Sequence, residues 1–199
     1  MKIINCEQNS PEWFKAKAGI PSASNFDKLI TIEEKPSKQR TRYLYQLAGE
    51  RITGVSEQNG YTNEDIERGK QLEEEARNLY TFTTGRKGEL VGFCLTDDSK
   101  FGASPDGLVG KEGLLEIKCP KLSTHVGYLA NGIMPLDYVQ QVQGQLLVTD
   151  RKWVDFVSYF PGVKPFIVRC PRNEKFLEVL KNELDKFCEE LDALVEDIK

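Results

Sequence analysis

A tight turn between two β-prone runs commits the middle of the chain to an antiparallel hairpin. The turn is Gly110-Lys111-Glu112-Gly113, within the segment SPDGLVGKEGLLEIKCP of residues 104–120. Glycine-containing turns of this kind join paired strands, so we predict strands over 106–109 and 114–118. A hairpin with this register fixes which side chains share a face of the sheet.

The second strand of the hairpin carries charged side chains among apolar ones. Side chains alternate along a strand, so Glu116 and Lys118 are expected on the same face. Folding about the turn returns Asp106 to the end that holds Glu116 and Lys118, within one residue of register. Two carboxylates and one ammonium therefore converge there. The predicted faces are Leu114, Glu116 and Lys118 on one side and Leu115, Ile117 and Cys119 on the other.

This convergence has two chemical interpretations. A hard cation such as Mg2+ takes oxygen ligands, commonly one or two carboxylates with waters and phosphate oxygens. Asp106, Glu116 and the backbone carbonyl of Ile117 would supply such a set. The alternative is an internal ion pair or a solvated strand face, because cross-strand charge pairs are common. Lys118 either neutralises the acids or orients a water at a bound phosphate, and the hairpin alone does not choose.

An acidic residue on the preceding helix adds to this pattern. Apolar residues recur at helical spacing over 63–82, and Glu73 lies at the edge of their stripe, in line with Ala76 and Tyr80. An acid that faces the body of a protein needs a partner or a cation. We therefore place Glu73 near the hairpin cluster, with capping or a plain ion pair as the alternative role.

Two glutamines occupy a polar stripe on a later helix, predicted over 135–148. Gln141 and Gln145 lie beside the apolar positions Val139, Val142 and Leu146. Glutamine on a helix is usually solvated, so these amides indicate a functional site only when they are considered together with the hairpin.

The whole pattern predicts an α/β protein with a small mixed central sheet flanked by helices and a long amphipathic C-terminal helix. No repeat or linker divides the chain, and 199 residues suit a single domain over 1–199. Ser10 is expected to cap the first helix, and Ser22 or Ser24 the second. Loops are predicted at 33–37 and 53–61. The first two predicted helices end at residues 18 and 30, and two further helices are predicted over 39–52 and 173–199. The remaining strands are predicted over 90–95, 153–160 and 165–169.

Residue usage narrows the chemistry. Five cysteines are spread without a C-x-x-C pair, so neither a disulfide framework nor a zinc or iron–sulfur cluster is indicated. His125 is the only histidine, which leaves little room for a Ser-His-Asp hydrolase and none for a multi-histidine metal site. No segment approaches the ~20 apolar residues of a membrane span, so we expect a cytosolic protein. Catalysis would have to rest on carboxylates and lysines, with or without a hard metal.

Several segments together resemble the phage lambda exonuclease family, also described as YqaJ-like viral recombinases, within the PD-(D/E)XK nuclease superfamily. In chain order they are EWFKAKAGIPSASNF, GKQLEEEAR, SPDG, LEIKCP and QQVQGQLLVTD. The resemblance spans about residues 11–150, and the Pro-Asp and Glu-x-Lys-Cys-Pro block is specific because the other segments accompany it. A restriction-endonuclease-like core is implied.

The resemblance also implies an activity. The expected enzyme is a Mg2+-dependent exonuclease, for which Mn2+ should substitute, that digests one strand of linear double-stranded DNA from its 5′ end. It would release mononucleotides by two-metal hydrolysis, which needs no histidine. The 3′ single-stranded overhangs left behind would serve phage-type homologous recombination, with a single-strand annealing protein as partner. The expected location is the cytoplasm of a bacterial host, from a phage or prophage gene.

The cluster residues take their roles from the matching positions. Asp106 and Glu116 match the principal metal ligands, together with the backbone carbonyl that follows Glu116. Glu73 matches a supporting acid, and Lys118 matches the lysine that positions the nucleophilic water. Gln141 matches the glutamine of the following helix.

A second group of residues matches a site for the 5′-terminal phosphate. Ser24 and Ser104 match its serines, although helix capping and a turn hydroxyl are their plain alternatives. The usual arginine of the family falls on Lys17, which keeps the charge but loses the bidentate fork. The family also tends to have an acid before the Ser-Pro-Asp block, for which Asp97 and Asp98 are both candidates.

The charge balance is unfavourable for DNA binding by a single subunit, since 27 basic against 31 acidic residues leave a net charge of −4. Nonspecific phosphate binding by one free subunit should therefore be weak near physiological salt. A closed ring removes the difficulty, because an enzyme that encircles DNA stays on it without a strongly basic surface. The resemblance implies such a ring, a homotrimer, and head-to-tail contacts can close one.

Other functions stay open at this point. One is another nuclease of the superfamily, acting as an endonuclease or on repair intermediates. Another is a nucleic-acid binding module without catalysis, although Asp106, Glu116 and Lys118 are all present. A carboxylate-pair glycosidase fits less well, because a third acid and a lysine suit metal–phosphate chemistry better.

Overall fold

The computed structural model describes residues 1–57 and 64–199, apart from the side chains of 64–67 and 70. In these residues the strands are β1 Lys2–Ile4, β2 Gly88–Glu89, β3 Phe93–Leu95, β4 Gly102–Ala103, β5 Gly107–Val109, β6 Gly113–Lys118, β7 Trp153–Ser158 and β8 Phe166–Pro171. The helices are α1 Pro11–Lys17, α2 Arg40–Thr53, α3 Glu64–Thr84, α4 Leu122–Asn131, α5 Val139–Thr149 and α6 Glu174–Ile198, with 3-10 helices at Ala23–Lys28 and Leu136–Tyr138.

A five-stranded mixed sheet in the order β2-β5-β6-β7-β8 forms the centre. β6 runs parallel to β7, and the other neighbours pair antiparallel. The predicted hairpin is β5 with β6, in which Val109 lies opposite Gly113 and Gly107 opposite Leu115, so this prediction is confirmed. A Cβ atom on Gly113 would lie 2.1 Å from the ring of Trp153. The Trp153 ring therefore packs over β6 in space that a larger residue at position 113 would fill.

Strand β6 is covered on both faces. Leu115 and Ile117 share an apolar cluster with Ala76 and Tyr80 of α3. On the opposite face, Leu114 packs in a second cluster with apolar side chains of α5. The predicted alternation is confirmed, and it directs the charged side chains of β6 into the space beneath α5.

The long C-terminal helix is also confirmed. It begins after Asn173, whose side chain accepts the backbone N–H of Phe176. Its buried face joins the largest apolar cluster, in which the ring of Phe187 stacks on Tyr43 of α2 at 5.7 Å between centroids. The helix supports α2 and α5 from behind and so holds indirectly the elements around β6.

The starts of the first two helices differ in how they are capped. Ser10 accepts the backbone N–H of Trp13 at 3.2 Å, with Pro11 at the first helical position, as predicted. The second helix is a 3-10 helix. Ser22 occupies its N-cap position but makes no capping hydrogen bond with the described residues, and Ser24 lies inside the helix. The predicted side-chain cap of this helix is therefore wrong.

A second sheet, in the order β1-β3-β4, was not predicted. The strand predicted over 90–95 is present only as Phe93–Leu95, which belongs to this second sheet, and the strand Gly88–Glu89 of the central sheet was not predicted. The chain passes between the sheets at Gly92, where a Cβ atom would lie 2.3 Å from the carbonyl oxygen of Ile4. Strands of two or three residues are too short to show a period of two.

Helix α4 was also missed. Its apolar residues Leu122 and Val126 are about half exposed, at 45% and 48%. The usual signal of a helix is an apolar face that is buried, and α4 does not bury that stripe. The other predicted helices and strands are present with shifted ends.

One predicted loop extends beyond the described part of the chain. The loop predicted at 53–61 and the predicted helix start at Asn63 reach into residues 58–63, which lie outside the described residues. The loop predicted at 33–37 is present, and an isolated bridge between Ile30 and Pro36 closes its base. Within the described ranges, none of the helices combines the length and apolar character needed to cross a membrane.

Candidate active site

The register of the hairpin places Asp106 beside Glu116. Asp106 immediately precedes β5, and its Oδ2 accepts the backbone N–H of Ile117 at 2.6 Å. The carboxylate is therefore fixed to the residue that lies between Glu116 and Lys118 in the sequence. The structure brings these residues together as the hairpin pattern predicts.

Glu116 is buried, with only 1% of its surface exposed. Its Oε1 lies 2.6 Å from Nζ of Lys118 and accepts the side-chain amide of Gln141, also at 2.6 Å. Its Oε2 accepts the side-chain amide of Gln145 at 2.6 Å. The glutamine stripe of α5 is thus turned toward β6, and the solvation that is usual for helical glutamine does not apply here.

Glu73 reaches the same region from α3. Its Oε1 accepts a hydrogen bond from Arg77, one turn later on the helix. The other terminal nitrogen of Arg77 donates to the backbone carbonyl of Asp106. Arg77 therefore joins the supporting acid to the residue that carries the hairpin carboxylate.

The acids of this cluster crowd one another. Burial raises the pKa of Asp106 well above its usual range, and the charges of Glu116 and Glu73 raise it further. Burial likewise raises the pKa of Glu73, against the opposing effect of Arg77. Burial disfavours the charged form of Lys118, but Glu116 and Asp106 outweigh it and raise the pKa of the ammonium. Negative charge is in excess here, which a divalent cation would offset.

The candidate metal ligands suit a hard cation in their chemistry, because their ligating atoms are all oxygens. In the described arrangement, protein donors occupy these oxygens: Lys118, Gln141 and Gln145 bind Glu116, and Arg77 binds Glu73. No group of three or more acidic, histidine or cysteine side chains within the described residues is spaced to hold an ion. Cation binding would therefore displace some of these donors.

Two of the three residues predicted to bind a 5′ phosphate, Lys17 and Ser104, contact Trp13. Nζ of Lys17 lies 3.9 Å from the centroid of the Trp13 ring, and Nε1 of that ring donates to Oγ of Ser104 at 2.9 Å. Ser24 is exposed on the neighbouring 3-10 helix, with its Oγ 3.4 Å from Oγ of Ser22. Ser104 is two residues before Asp106, so this group adjoins the carboxylate cluster.

Lys17 is a perturbed lysine. Burial lowers its pKa to about 8, and the charge of Glu50 opposes that shift. Glu50 is itself buried and accepts the backbone N–H groups of Gly19 and Glu57 at 2.8 and 3.0 Å. These bonds hold the turn after α1 and the segment that directly follows α2, and so support the position of Lys17.

Asp97 and Asp98 are held elsewhere. Both lie in the turn between β3 and β4, where Asp97 pairs with the amino terminus of Met1 at 2.5 Å. Asp98 accepts from the Thr96 hydroxyl at 2.6 Å and the Lys100 backbone at 3.2 Å. Both carboxylates therefore have partners at this turn, and the structure does not bring them to the cluster of Asp106 and Glu116.

His125 has a packing role. Its Nδ1 lies 2.8 Å from Oγ of Ser158, and its Nε2 lies 3.1 Å from the carbonyl oxygen of Lys164. Because a carbonyl only accepts, Nε2 carries a proton and donates. Both His125 and Ser158 are fully buried. The pair therefore fixes α4 to the β7–β8 region and offers no surface to a substrate.

Arg77 was not predicted to take part in the site, and Gln145 was predicted on the polar stripe of α5 without a role. The spacing of Gln145 one turn after Gln141 is the signal that could have placed both amides over the same strand. Arg77 stands one turn after Glu73 within the quoted segment GKQLEEEAR, which could have marked the pair in the same way. Neither spacing reveals that the partner of Gln145 is Glu116.

Comparison with known proteins gives a family match over most of the chain. Residues 12–152 match the model of the YqaJ-like viral recombinase domain. A curated relative, an uncharacterized protein of Acanthamoeba polyphaga mimivirus, is 29% identical in an alignment of length 171 that covers 79% of this chain. The match takes in only 30% of that viral protein, so the chain spans less than a third of its length.

Solved structures match more of the chain. The alkaline exonuclease LHK-Exo of Laribacter hongkongensis is 34% identical, with a TM-score of 0.86, over 95% of this chain and 96% of that one. Its complex with dAMP is 35% identical, with a TM-score of 0.87 and 96% of each chain covered. A phage related exonuclease of Haemophilus somnus, 16% identical over 90% and 96% of the two chains, shares the fold with a TM-score of 0.69. The predicted nuclease-type α/β core is confirmed.

Proposed function

The chain belongs to the YqaJ-like viral recombinase family, and we propose that it is a DNA nuclease that works as a Mg2+-dependent 5′→3′ exonuclease on linear double-stranded DNA. Similarity to an alkaline exonuclease along nearly the whole chain supports the nuclease assignment. The observation that carries the proposal is the contact of Asp106 with Ile117, which sets an acid beside Glu116 and Lys118.

Asp106, Glu116 and the backbone carbonyl of Ile117 would hold Mg2+, with Glu73 in support, and Mn2+ would substitute. When bound, such cations supply an activated water and stabilise the departing 3′ oxygen, as in two-metal hydrolysis. Burial of Glu116 and crowding of Asp106 favour a cation, because they leave negative charge only partly offset by Lys118 and Arg77.

Lys118 would act on the water rather than on the DNA backbone. Its ammonium lies against Oε1 of Glu116 and stays protonated because two acids raise its pKa. A protonated lysine donates hydrogen bonds but does not accept a proton, so it would orient the attacking water and steady the phosphate. Gln141, on the same oxygen of Glu116, would hold that carboxylate in place.

The direction of digestion would follow from recognition of the 5′ end. Lys17, Ser24 and Ser104 would bind the terminal 5′ phosphate, and Ser104 is linked through Trp13 to Lys17. Because Ser104 is two residues from Asp106, a terminal phosphate held there would direct the next phosphodiester to the cluster. One nucleotide would leave per step, and a 3′ overhang would remain.

The assembly and the setting are part of the same proposal. With 27 basic and 31 acidic residues, one subunit would hold DNA weakly at physiological salt, and a homotrimeric ring around the duplex would keep the enzyme on its substrate. A single-strand annealing protein would receive the overhang. The site of action would be the cytoplasm of a bacterial host.

A test that separates the candidate functions uses linear and circular forms of the same duplex in Mg2+. An exonuclease degrades the linear form and leaves the covalently closed circle intact. Linearisation of the circle would favour an endonuclease of the same fold. Binding of the linear form without loss of nucleotides would favour a DNA-binding module and overturn the proposal.

A further inference from the structure

The two oxygens of Glu116 have different environments. Oε1 faces Lys118 and Gln141, whose side chains are only partly buried. Oε2 accepts from Gln145 at 2.6 Å, and Gln145 is itself 1% exposed. One oxygen is therefore turned to the open side of the cluster and the other to the interior.

Gln145 carries a feature that packing does not account for. Its amide oxygen is buried and has no hydrogen-bond partner among the residues that the structure describes. A buried acceptor without a partner is unfavourable, so an apolar side chain of similar size would suit the interior better. The hydrogen bond that Gln145 makes through its side chain is the one its amide nitrogen donates to Glu116.

Another buried glutamine on the same helix provides a comparison. The amide nitrogen of Gln140 donates to the carbonyl of Ile30 at 3.1 Å, and its amide oxygen likewise has no partner within the described part of the chain. Both side chains are almost fully buried. The two glutamines differ in what they hold, because Gln140 binds a backbone carbonyl and Gln145 binds the carboxylate of Glu116.

We infer that Gln145 is a positioning residue that fixes Oε2 of Glu116, so that Oε1 points to Lys118 and to the cation. This inference rests on the proposed function. The terminal torsion of a glutamate side chain has broad minima, so the two partly exposed donors on Oε1 do not by themselves set its rotation. A buried donor on the opposite oxygen, Oε2, does. Partners that orient a metal ligand typically contribute about 10- to 100-fold to metal affinity.

The test measures cation binding directly, in the absence of DNA. The probe is Mn2+ added to the full chain, with free Mn2+ followed by electron paramagnetic resonance. Gln145→Met is expected to weaken Mn2+ binding by about 10- to 100-fold. Gln140→Met is the matched control, since it removes an equally buried amide with an equally unpartnered oxygen, and it is expected to bind Mn2+ as the unmodified chain does.

Activity supplies a second readout that a purely structural effect would not reproduce. For Gln145→Met, kcat at low Mg2+ should fall and should recover as Mg2+ is raised, whereas KM for DNA should not change. If Gln145→Met does not fold, Gln145→Asn replaces it, because its shorter amide withdraws from Oε2 while the site stays polar. The same loss of Mn2+ affinity is expected.

The outcomes separate the two claims. If the unmodified chain binds no Mn2+ or Mg2+, the metal-dependent function fails. If it binds Mn2+ and Gln145→Met binds as tightly, only the role of Gln145 fails. A loss of affinity of equal size in Gln140→Met would also overturn that role, because it would show a general effect of disturbing α5.

Discussion

Nζ of Lys118 lies 2.6 Å from Oε1 of Glu116, a carboxylate that sits inside the protein between β6 and α5. An ion pair in such a place contributes little net stability, because desolvation of both charges offsets their attraction. The pair therefore makes better sense as part of a reaction site than as a stabilising element. The same cluster holds two further acids, Asp106 and Glu73, whose pKa values burial has raised.

Asp106→Asn should abolish hydrolysis and, without metal, should stabilise the fold at neutral pH. A carboxyl with a raised pKa binds more protons in the folded than in the unfolded state, so stability is lost as pH rises toward the folded pKa. Asparagine removes that loss and still accepts the N–H of Ile117. Thermal unfolding in EDTA at pH 5 and pH 8 checks this, and the advantage of the variant should be larger at pH 8. An equal advantage at both pH values would contradict the assigned crowding.

Lys118→Met should leave cation binding intact and reduce turnover by about 10²- to 10⁴-fold, the range for a group that positions or moves protons at the reacting centre. Methionine keeps the bulk of the side chain but has no donor for the water. Single-turnover digestion of DNA in Mg2+ measures the loss, and circular dichroism controls for folding. Near-normal turnover in a folded Lys118→Met would remove Lys118 from the reaction.

The preference for a phosphorylated 5′ end should weaken as pH rises through about 8, where Lys17 loses its proton. The ratio of kcat/KM for phosphorylated and hydroxyl 5′ ends, measured from pH 6.5 to 9.5, reports this, since kcat/KM follows groups of the free enzyme. Lys17→Arg should keep the ratio constant over that range, because arginine stays charged. No preference at any pH would argue against a phosphate site at Lys17, Ser24 and Ser104.

Light scattering at micromolar concentration should give three times the mass of one chain. Digestion that has started should also continue when excess unlabelled duplex is added, because a ring that has loaded does not exchange its DNA. A monomeric mass together with digestion that stops within a few nucleotides of adding competitor would rule out the ring. It would also leave the acidic charge balance unexplained.

What could be predicted from the sequence depends on how local the determinants are. The β5–β6 hairpin is set by its turn and by alternation within a few residues, so the positions of Asp106, Glu116 and Lys118 followed from the sequence. The contact of Gln145 with Glu116 depends on how α5 lies across β6, which only the packing of Leu114 and its neighbours determines. Such a contact between distant segments leaves no periodic signal.

The features that were not predicted from the sequence are very short elements or contacts between distant segments. The second sheet is built from strands as short as Gly102–Ala103, which show no alternation. The capping predicted for Ser22 or Ser24 assumed an α-helix, whereas the chain forms a 3-10 helix over Ala23–Lys28. Arg77 joins Glu73 to the carbonyl of Asp106, a bond that needs the hairpin and α3 to be already in place.

The most direct test of the account follows the two ends of one strand. A linear duplex carries a label at the 5′ end of one strand in one sample and at the 3′ end of that strand in another, and is incubated with the chain and Mg2+. The 5′ label should be released at once as a mononucleotide, while the 3′ label stays on a shortening strand. EDTA should stop both the release of the 5′ label and the shortening of the strand. Immediate release of the 3′ label, with the 5′ label retained, would contradict it.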